Sequence, residues 1–203
     1  VTMEILWLAP IIVYSFVTAF TPGPNNMMLL ASGTNFGFRR TLPHMFGVTF
    51  GFFLLQFAVG LGLGGIFTVL PWIHPVLRIA AFGYLLYLAY KIATSSAPSG
   101  SEGTGKAKPM TLLGAAAFQL INPKTLIVIA GFFSAYLPAN PPLAQVAISV
   151  TVTSLIAFAS TATWAGMGTL VQRYLRQPRA IKAFNYTMAA LLVLSMIPVL
   201  LEG

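Results

Sequence analysis

The residues that could do chemistry in this chain are polar side chains placed inside long apolar runs. Lys124 lies within one run, and Asn25 and Asn26 lie within another. A charge at membrane depth is costly and normally faces a cavity or a partner. All the acidic residues lie outside the apolar runs, at Glu4, Glu102 and Glu202. Lys124 therefore predicts a site for an external anion, with a lysine that snorkels to the outer interface as the alternative.

Both runs are interrupted by helix-breaking residues beside these polar side chains. The first interruption is Phe20–Asn26, which reads FTPGPNN, and the second is Asn122-Pro123-Lys124. Proline removes a backbone donor and obstructs the preceding turn, and glycine loosens the backbone further. Irregular backbone at membrane depth is tolerated only where protein buries it or where it lines a wet cavity. The two interruptions therefore predict a binding cavity near the middle of the membrane.

The helix restarts that follow the interruptions predict how a substrate is held. Each restarted helix presents unpaired N–H groups and the positive end of its dipole, which suit a carboxylate. Loosened carbonyl groups around Thr21 and Ile121 suit an ammonium group. Asparagine also caps helix starts, and we predict capping together with binding for Asn25 and Asn122. The predicted substrate-binding residues are Thr21, Pro22, Gly23, Pro24, Asn25, Asn26, Gln119, Asn122, Pro123 and Lys124.

The composition requires a membrane environment for these runs. Of 203 residues, 57% are hydrophobic and 7% are charged, and the mean hydropathy is +0.84, whereas soluble domains carry about 25% charged residues. The net charge of +8 comes from basic residues between the apolar runs, which indicates membrane topology and not nucleic-acid binding. The chain has no cysteine, and His44 and His74 are isolated. We therefore expect no disulfide, no metal and no cofactor.

Six segments are long and apolar enough to span a hydrocarbon core about 30 Å thick. A stretch rich in Gly, Ser and Pro at 95–110 separates the third segment from the fourth and predicts a flexible cytoplasmic linker. The predicted fold is an all-α integral membrane protein. It has six transmembrane helices in two inverted three-helix repeats, 1–94 and 111–203, with the first and fourth helices broken. The predicted helices are about 10–32, 43–69, 75–93, 111–136, 143–170 and 180–201.

The charges of the loops predict the orientation of the chain. Nine of the eleven basic residues fall on one side of a six-helix topology, and the positive-inside rule places that side in the cytoplasm. Both termini are then periplasmic. Glu4 stands where a signal peptide would carry basic residues, which argues against a cleaved leader. The nine residues are Arg39, Arg40, Lys91, Lys106, Lys108, Arg173, Arg176, Arg179 and Lys182.

Three motifs of the chain, FTPGPNN at 20–26, GFRR at 37–40 and NPK at 122–124, resemble those of the LysE/RhtB family of bacterial amino-acid exporters. The resemblance implies a proton-driven exporter of amino acids or close derivatives in the bacterial inner membrane. Two further motifs, KIATS at 91–95 and AKP at 107–109, are most similar to the cysteine/O-acetylserine exporter branch. That branch implies a small neutral amino acid as substrate. The expected site residues are Pro22, Gly23, Pro24, Asn25, Asn122, Pro123 and Lys124.

The coupling of transport to protons is harder to predict, because no span carries an acidic residue. The candidate proton carriers are Lys124, His44 near the cytoplasmic mouth, and the substrate itself. We expect alternating access by one half of the chain rocking against the other around the broken helices. The expected partners are the substrate, protons and the lipid bilayer, and a homodimer is compatible with these features.

Two other functional classes stay open from the sequence alone. A passive channel would be expected to carry rings of charge, whereas this chain has scattered glycines and prolines. Gly47, Gly51, Gly60 and Gly64 have the spacing of helix-packing surfaces. An intramembrane enzyme would need a nucleophile with a base, or a metal cluster. Ser160 with an intramembrane lysine is the only such pair, so we expect a transporter and not an enzyme.

Overall fold

The chain is described here from a computed structural model over residues 7–62, 73–95, 108–175 and 177–195, and this part is helical without β-strands. The all-α prediction is thus confirmed for these residues. Most of the predicted linker at 95–110, and the ends of the second and sixth predicted segments, lie outside them. The helices, in chain order, are α1 (Leu8–Phe20), α2 (Pro24–Phe36), α3 (Phe38–Gly60), α4 (Ile73–Ala93), α5 (Leu112–Phe118), α6 (Pro123–Tyr136), α7 (Leu143–Tyr174) and α8 (Pro178–Leu194).

Both predicted helix breaks are present. One separates α1 from α2, and the other separates α5 from α6. The helix restarts at Pro24 and at Pro123, each in the first turn, where the missing N–H would have no helical acceptor. The axes of α5 and α6 differ by 60°. The predicted interruptions of the first and fourth segments are therefore confirmed.

Helix length and composition alone support fewer membrane spans than the six predicted. Among the described helices, α3 with 23 residues and α7 with 32 residues are long and apolar enough to cross a membrane, and the bent pair α5–α6 makes a third candidate. Helix α1 is apolar but has only 13 residues. The six-helix topology and the inverted relation of the two halves stay predictions.

Two helix boundaries differ from the sequence-based ones for local reasons. Helix α2 continues to Phe36 and α3 already begins at Phe38, earlier than the predicted position 43. Gly37 between them has φ of 79°, a left-handed conformation that glycine adopts without steric cost. A single residue therefore turns the chain from α2 into α3.

The helices of the two sequence halves interlock. Helix α7 packs most extensively against α2, and it also packs against α3 and α1. Helix α5 packs against α3, and α8 packs against α4. All of these contacts join a helix of the first half to a helix of the second. The two sequence halves therefore share an extensive interface, and the expectation that one half rocks against the other stays a prediction.

Glycines bring the interlocked helices into backbone contact. A Cβ atom on Gly47 would overlap the carbonyl oxygen of Leu112, and one on Gly51 would overlap the backbone of Ala116. Gly33 of α2 faces the carbonyl of Ala165 in α7 in the same way. The packing role predicted for Gly47 and Gly51 is confirmed. These contacts leave α2, α3, α5 and α7 as a tightly packed frame around the two breaks.

Candidate functional site

The two breaks meet at one cavity of about 80 Å³, bounded by α1, α2, α3, α6 and α7. A bound water needs about 10–15 Å³ of such volume, so the cavity has room for several waters or a small solute. The residues of both interruptions, distant in sequence, thus form a single site. Six of the predicted substrate-binding residues line it, namely Gly23, Asn25, Asn26, Gln119, Asn122 and Lys124.

The Lys124 ammonium group lies on the carbonyl groups of the opposite break. Its Nζ donates to the carbonyl oxygen of Thr21 at 2.6 Å and to that of Pro22 at 3.4 Å. These carbonyls follow α1, whose C-terminal end carries the negative end of the helix dipole. No acidic residue lies in the described part of the chain. In this structure Lys124 therefore bonds to backbone and does not snorkel along its own helix, and its role as a site for an external anion stays a prediction.

Two further side chains donate hydrogen bonds to carbonyl groups at the C-terminal end of α1. The Nδ2 of Asn26 donates to Ala19 O at 2.8 Å and to Thr21 O at 2.9 Å. The hydroxyl of Ser160, from α7, donates to Ala19 O at 2.7 Å. Within the described residues, Ser160 and Lys124 make no hydrogen bond to each other. The dyad that an intramembrane enzyme would use is therefore not formed.

The amides of Asn25 and Gln119 pair across the two breaks. Asn25 Nδ2 donates to Gln119 Oε1 at 2.8 Å, and Gln119 Nε2 donates back to Asn25 Oδ1 at 3.2 Å. Gln119 also donates to Ala115 O at 2.9 Å and accepts from the Thr125 hydroxyl at 3.0 Å. No side chain caps the start of α2. The capping role predicted for Asn25 is therefore wrong, because its amide pairs with Gln119 instead.

Asn122 occupies the N-cap position of α6 without capping that helix. Its side chain makes no hydrogen bond to the helix start, so the capping role predicted for it is also wrong. The residue is 1% exposed, and its Oδ1 has no partner among the described residues. An unpaired buried polar atom costs about 1–3 kcal/mol. Asn122 lines the cavity, but its Oδ1 is itself buried away from the cavity surface.

The four other predicted substrate-binding residues do not line the cavity. Thr21 and Pro22 have exposed side chains, and the Thr21 hydroxyl donates to the carbonyl of Val17. They contribute carbonyl groups to the site and not side chains. Pro24 and Pro123 stand in the first turns of α2 and α6. Their contribution is to start the two helices at the cavity.

A second cavity, of about 290 Å³, lies further along α2 and is lined by Lys91 and Lys108. His44, 2% exposed, lines it too, and neither ring nitrogen has a hydrogen-bond partner among the described residues. Met28 lines this cavity and packs with Phe118 in a buried apolar cluster. Because Met28 lies about one turn along α2 from the first cavity, this cluster separates the two cavities.

A second reciprocal amide pair lies at the far end of α2. Asn35 Nδ2 donates to Asn185 Oδ1 at 2.7 Å, and Asn185 Nδ2 donates back at 2.9 Å. Asn35 also donates to Ala31 O at 2.8 Å, and Asn185 donates to Ser95 O at 2.9 Å. Both side chains are buried. The pair joins α2, α8 and the residues after α4, and all of its N–H groups have acceptors.

Sequence reasoning missed several hydroxyl groups of the first cavity. The Tyr14 hydroxyl donates to Val128 O at 3.0 Å and links α1 to α6. Thr153 of α7 donates to Gln56 Oε1 of α3 at 2.6 Å, and Thr125 supports Gln119 as described above. The only signal was a polar side chain inside an apolar run. That signal is weak for serine and threonine, because they can bond to the carbonyl of their own helix.

The chain matches a known protein family over a range that includes both helix breaks. The family model described as LysE type translocator matches residues 16–202. The cysteine/O-acetylserine efflux proteins of Escherichia coli (strain K12), Escherichia coli O9:H4 (strain HS) and Shigella sonnei (strain Ss046) are each 34% identical to the chain. The identity holds over 185 residues, which are 89% of this chain and 90% of each relative. No solved structure matches the chain significantly.

Proposed function

The chain belongs to the LysE type translocator family, and we propose that it exports a small neutral amino acid from the bacterial cytoplasm. A member of this family is a membrane transporter and not an enzyme. The relatives compared above are cysteine/O-acetylserine efflux proteins. We therefore propose cysteine, O-acetylserine or a similar amino acid as the substrate of this chain, carried as the zwitterion.

The observation that carries the proposal is the presence of donors for a carboxylate and acceptors for an ammonium group in one cavity. Lys124 and the Asn25 amide supply the donors. The carbonyl groups after α1 supply the acceptors. Such groups favour a zwitterion, because each group that a ligand leaves unpaired on binding costs free energy. The cavity volume of about 80 Å³ favours a short side chain.

The orientation of the transport path follows from the two cavities. Lys91 and Lys108 line the larger cavity, and the positive-inside rule places it on the cytoplasmic side. The substrate would enter there, pass the cluster of Met28 and Phe118, and reach the site at the breaks. In the proposed topology, the chain is a six-helix protein of the inner membrane with inverted repeats, and both of its termini lie in the periplasm.

Movement is best assigned to the broken helices, given the interlocked frame. Helix α6 packs mainly against α1 and α3, and more sparsely than α7 or α3 packs. Segments with few packing contacts open at the lowest free-energy cost. We propose that α6 moves against the frame of α2, α3, α5 and α7, to which α1 is held by its packing on α7. The movement of α6 then exposes the site alternately to the two sides.

Coupling to the proton gradient completes the proposal. Lys124 at the site and His44 at the larger cavity are the candidate proton carriers. We expect His44→Gln to keep the exchange of substrate for substrate while losing accumulation driven by a pH gradient. The comparison of counterflow with gradient-driven uptake in the same vesicles checks this. Gradient-driven uptake at the wild-type rate would remove His44 from the mechanism.

The function is tested by counterflow in proteoliposomes against a panel of amino acids, with and without a pH gradient. We expect saturable counterflow of a small neutral amino acid, and its loss in Lys124→Met with folding preserved. The matched control is Lys182→Met, since Lys182 is exposed on α8 and should transport normally. Wild-type flux through Lys124→Met would contradict the proposed site. Flux without counterflow or saturation would favour the passive channel.

A further inference from the structure

The position of the Lys124 ammonium group itself indicates a binding subsite. Its Nζ lies 2.6 Å from Thr21 O and 3.4 Å from Pro22 O, on the other broken helix. The chain between these residues includes α2 through α5, so nothing local directs the lysine there. A primary ammonium group has three N–H donors and no acceptor, and here it meets only backbone oxygens.

The position of these carbonyls at the C-terminal end of a helix favours the binding of a cation. They follow the last turn of a helix of 13 residues, where carbonyls lack helical partners and the dipole is negative. Asn26 and Ser160 already satisfy Ala19 O, and Asn26 also reaches Thr21 O. The strongest donor is nevertheless the ammonium, because charge-assisted hydrogen bonds are shorter and stronger than neutral ones. The described part of the chain offers no carboxylate in its place.

We propose that the carbonyls of Thr21 and Pro22 form a subsite for a primary ammonium group, which the Lys124 side chain occupies in this structure. The inference rests on the proposed function for its second step. When an amino acid binds, its α-ammonium takes the carbonyls and its carboxylate pairs with the displaced Lys124. Lysine and substrate exchange partners, so that neither the carbonyls nor the lysine is left unpaired at any stage.

The exchange explains why the site can be complementary to a zwitterion and still be stable when empty. Without this contact, the partly buried Lys124 ammonium and the carbonyls of Thr21 and Pro22 would each lose a hydrogen-bond partner, which costs free energy. The exchange also requires that the substrate carry a free primary ammonium next to its carboxylate. N-acylated amino acids and simple carboxylates would release Lys124 without replacing it, so we expect neither to be transported.

The test uses variants that empty the subsite. In Lys124→Ala the side chain beyond Cβ is removed, and n-propylammonium has the size of the missing fragment. In Lys124→Met the fragment is replaced by an uncharged chain of similar length that still fills the space. We expect n-propylammonium, without any amino acid, to raise the unfolding midpoint of purified Lys124→Ala by about 2–4 °C. It should leave wild type, Lys124→Met and the surface control Lys182→Ala unchanged.

Tetramethylammonium distinguishes hydrogen bonding from charge alone. It has the same charge but no N–H, so we expect it to leave Lys124→Ala unchanged. A folded Lys124→Ala that n-propylammonium does not stabilise would overturn the proposal, as would equal stabilisation of all the variants or an equal effect of tetramethylammonium. If Lys124→Ala does not fold alone, Lys124→Ser is purified with the amine present, and loss of fold on its removal supports the subsite.

The outcome is separable from that of the proposed function, because no amino acid or transport is involved. Amino-acid counterflow by wild type with no amine binding by Lys124→Ala would remove the subsite and keep the exporter. Amine binding with no counterflow of any amino acid would keep the ammonium subsite and remove the exporter.

Discussion

Two reciprocal amide pairs lie on helix α2, one at each end, and they differ in what remains for a ligand. At the far end, Asn35 and Asn185 are fully buried, and each amide uses both N–H groups on protein acceptors. At the break, Asn25 is only partly buried, and its Nδ2 donates to Gln119 alone among the described residues. We call the Asn35–Asn185 pair closed, because all of its N–H groups have protein acceptors. We call the Asn25–Gln119 pair open, because Asn25 keeps one N–H group for the cavity.

The two pairs have the same side-chain chemistry and differ in whether an N–H group is left without a protein acceptor among the described residues. A closed network contributes to stability and has nothing to offer a ligand. An open one leaves a group whose free-energy cost is offset only when a ligand arrives. The closed pair joins α2, α8 and the residues after α4, and we propose that the open pair serves substrate recognition.

Among the changes that test this difference between the pairs, the largest expected effect is that of Asn25→Ala on transport. The change removes the open donor and one partner of Gln119, and a lost hydrogen bond to a charged substrate group costs about 1.5–3 kcal/mol, or about 10–150-fold. We expect counterflow to fall by about that factor while the unfolding midpoint changes little, because Gln119 keeps Ala115 O and Thr125. Asn140→Ala, in an exposed loop, is the control. Normal counterflow by Asn25→Ala would show that the open pair contributes no more to transport than the closed pair does.

The closed pair should show the opposite behaviour. Asn35→Leu leaves Oδ1 and one N–H of the buried Asn185 without a partner, while its bond to Ser95 O remains. We expect a loss of about 1–3 kcal/mol of stability. Transport per folded molecule should stay near the wild-type value. The double variant Asn35→Leu/Asn185→Leu should recover part of the lost stability, since no unpaired partner remains. Chemical unfolding and counterflow on the same preparations check both points; a specific loss of transport would show that this pair also serves the substrate path.

Gly23→Ala tests the cavity beside the open pair without removing any polar group. A Cβ at this position would lie 2.6 Å from Lys124 Cδ and 3.0 Å from its Nζ, so the lysine must shift. The extended backbone of Gly23, with φ of −178°, tolerates alanine, so the fold should survive. We expect counterflow to fall by about 10-fold, corresponding to about 1.4 kcal/mol. Gly166→Ala, with open space around its Cβ position, should behave as wild type.

The smallest expected effect is that of Thr125→Val. The change removes the hydroxyl that donates to Gln119 Oε1 at 3.0 Å, and one neutral hydrogen bond contributes about 1 kcal/mol. We expect a decrease of a few-fold in counterflow, because the Asn25–Gln119 pair itself remains. The matched control is Thr163→Val, whose exposed hydroxyl bonds only to its own helix. An effect as large as that of Asn25→Ala would mean that Thr125 contacts the substrate directly.

Local signals made the breaks and their polar residues predictable. Pro24 and Pro123 start helices in the structure as their ring chemistry requires, and Asn26, Gln119 and Lys124 line the cavity as expected. The hydrogen-bond partners predicted for these polar residues were less accurate. Capping by Asn25 and Asn122 is a local interaction that each residue favours in isolation. At Asn25 it loses to a tertiary hydrogen bond with Gln119, which no local preference encodes.

The sequence by itself determined that this chain enters a membrane, where two of its helices break, and which family of translocators it resembles. These properties depend on composition and on the local backbone preferences of proline and glycine, which act wherever those residues occur. The tertiary structure decided that the two halves interlock, that Lys124 rests on the carbonyls after α1, and that one amide pair is closed and the other open. These facts depend on distances between residues far apart in the chain. Such distances are set by the packing of α7 against α2 and of α3 against α5, which only the folded chain specifies.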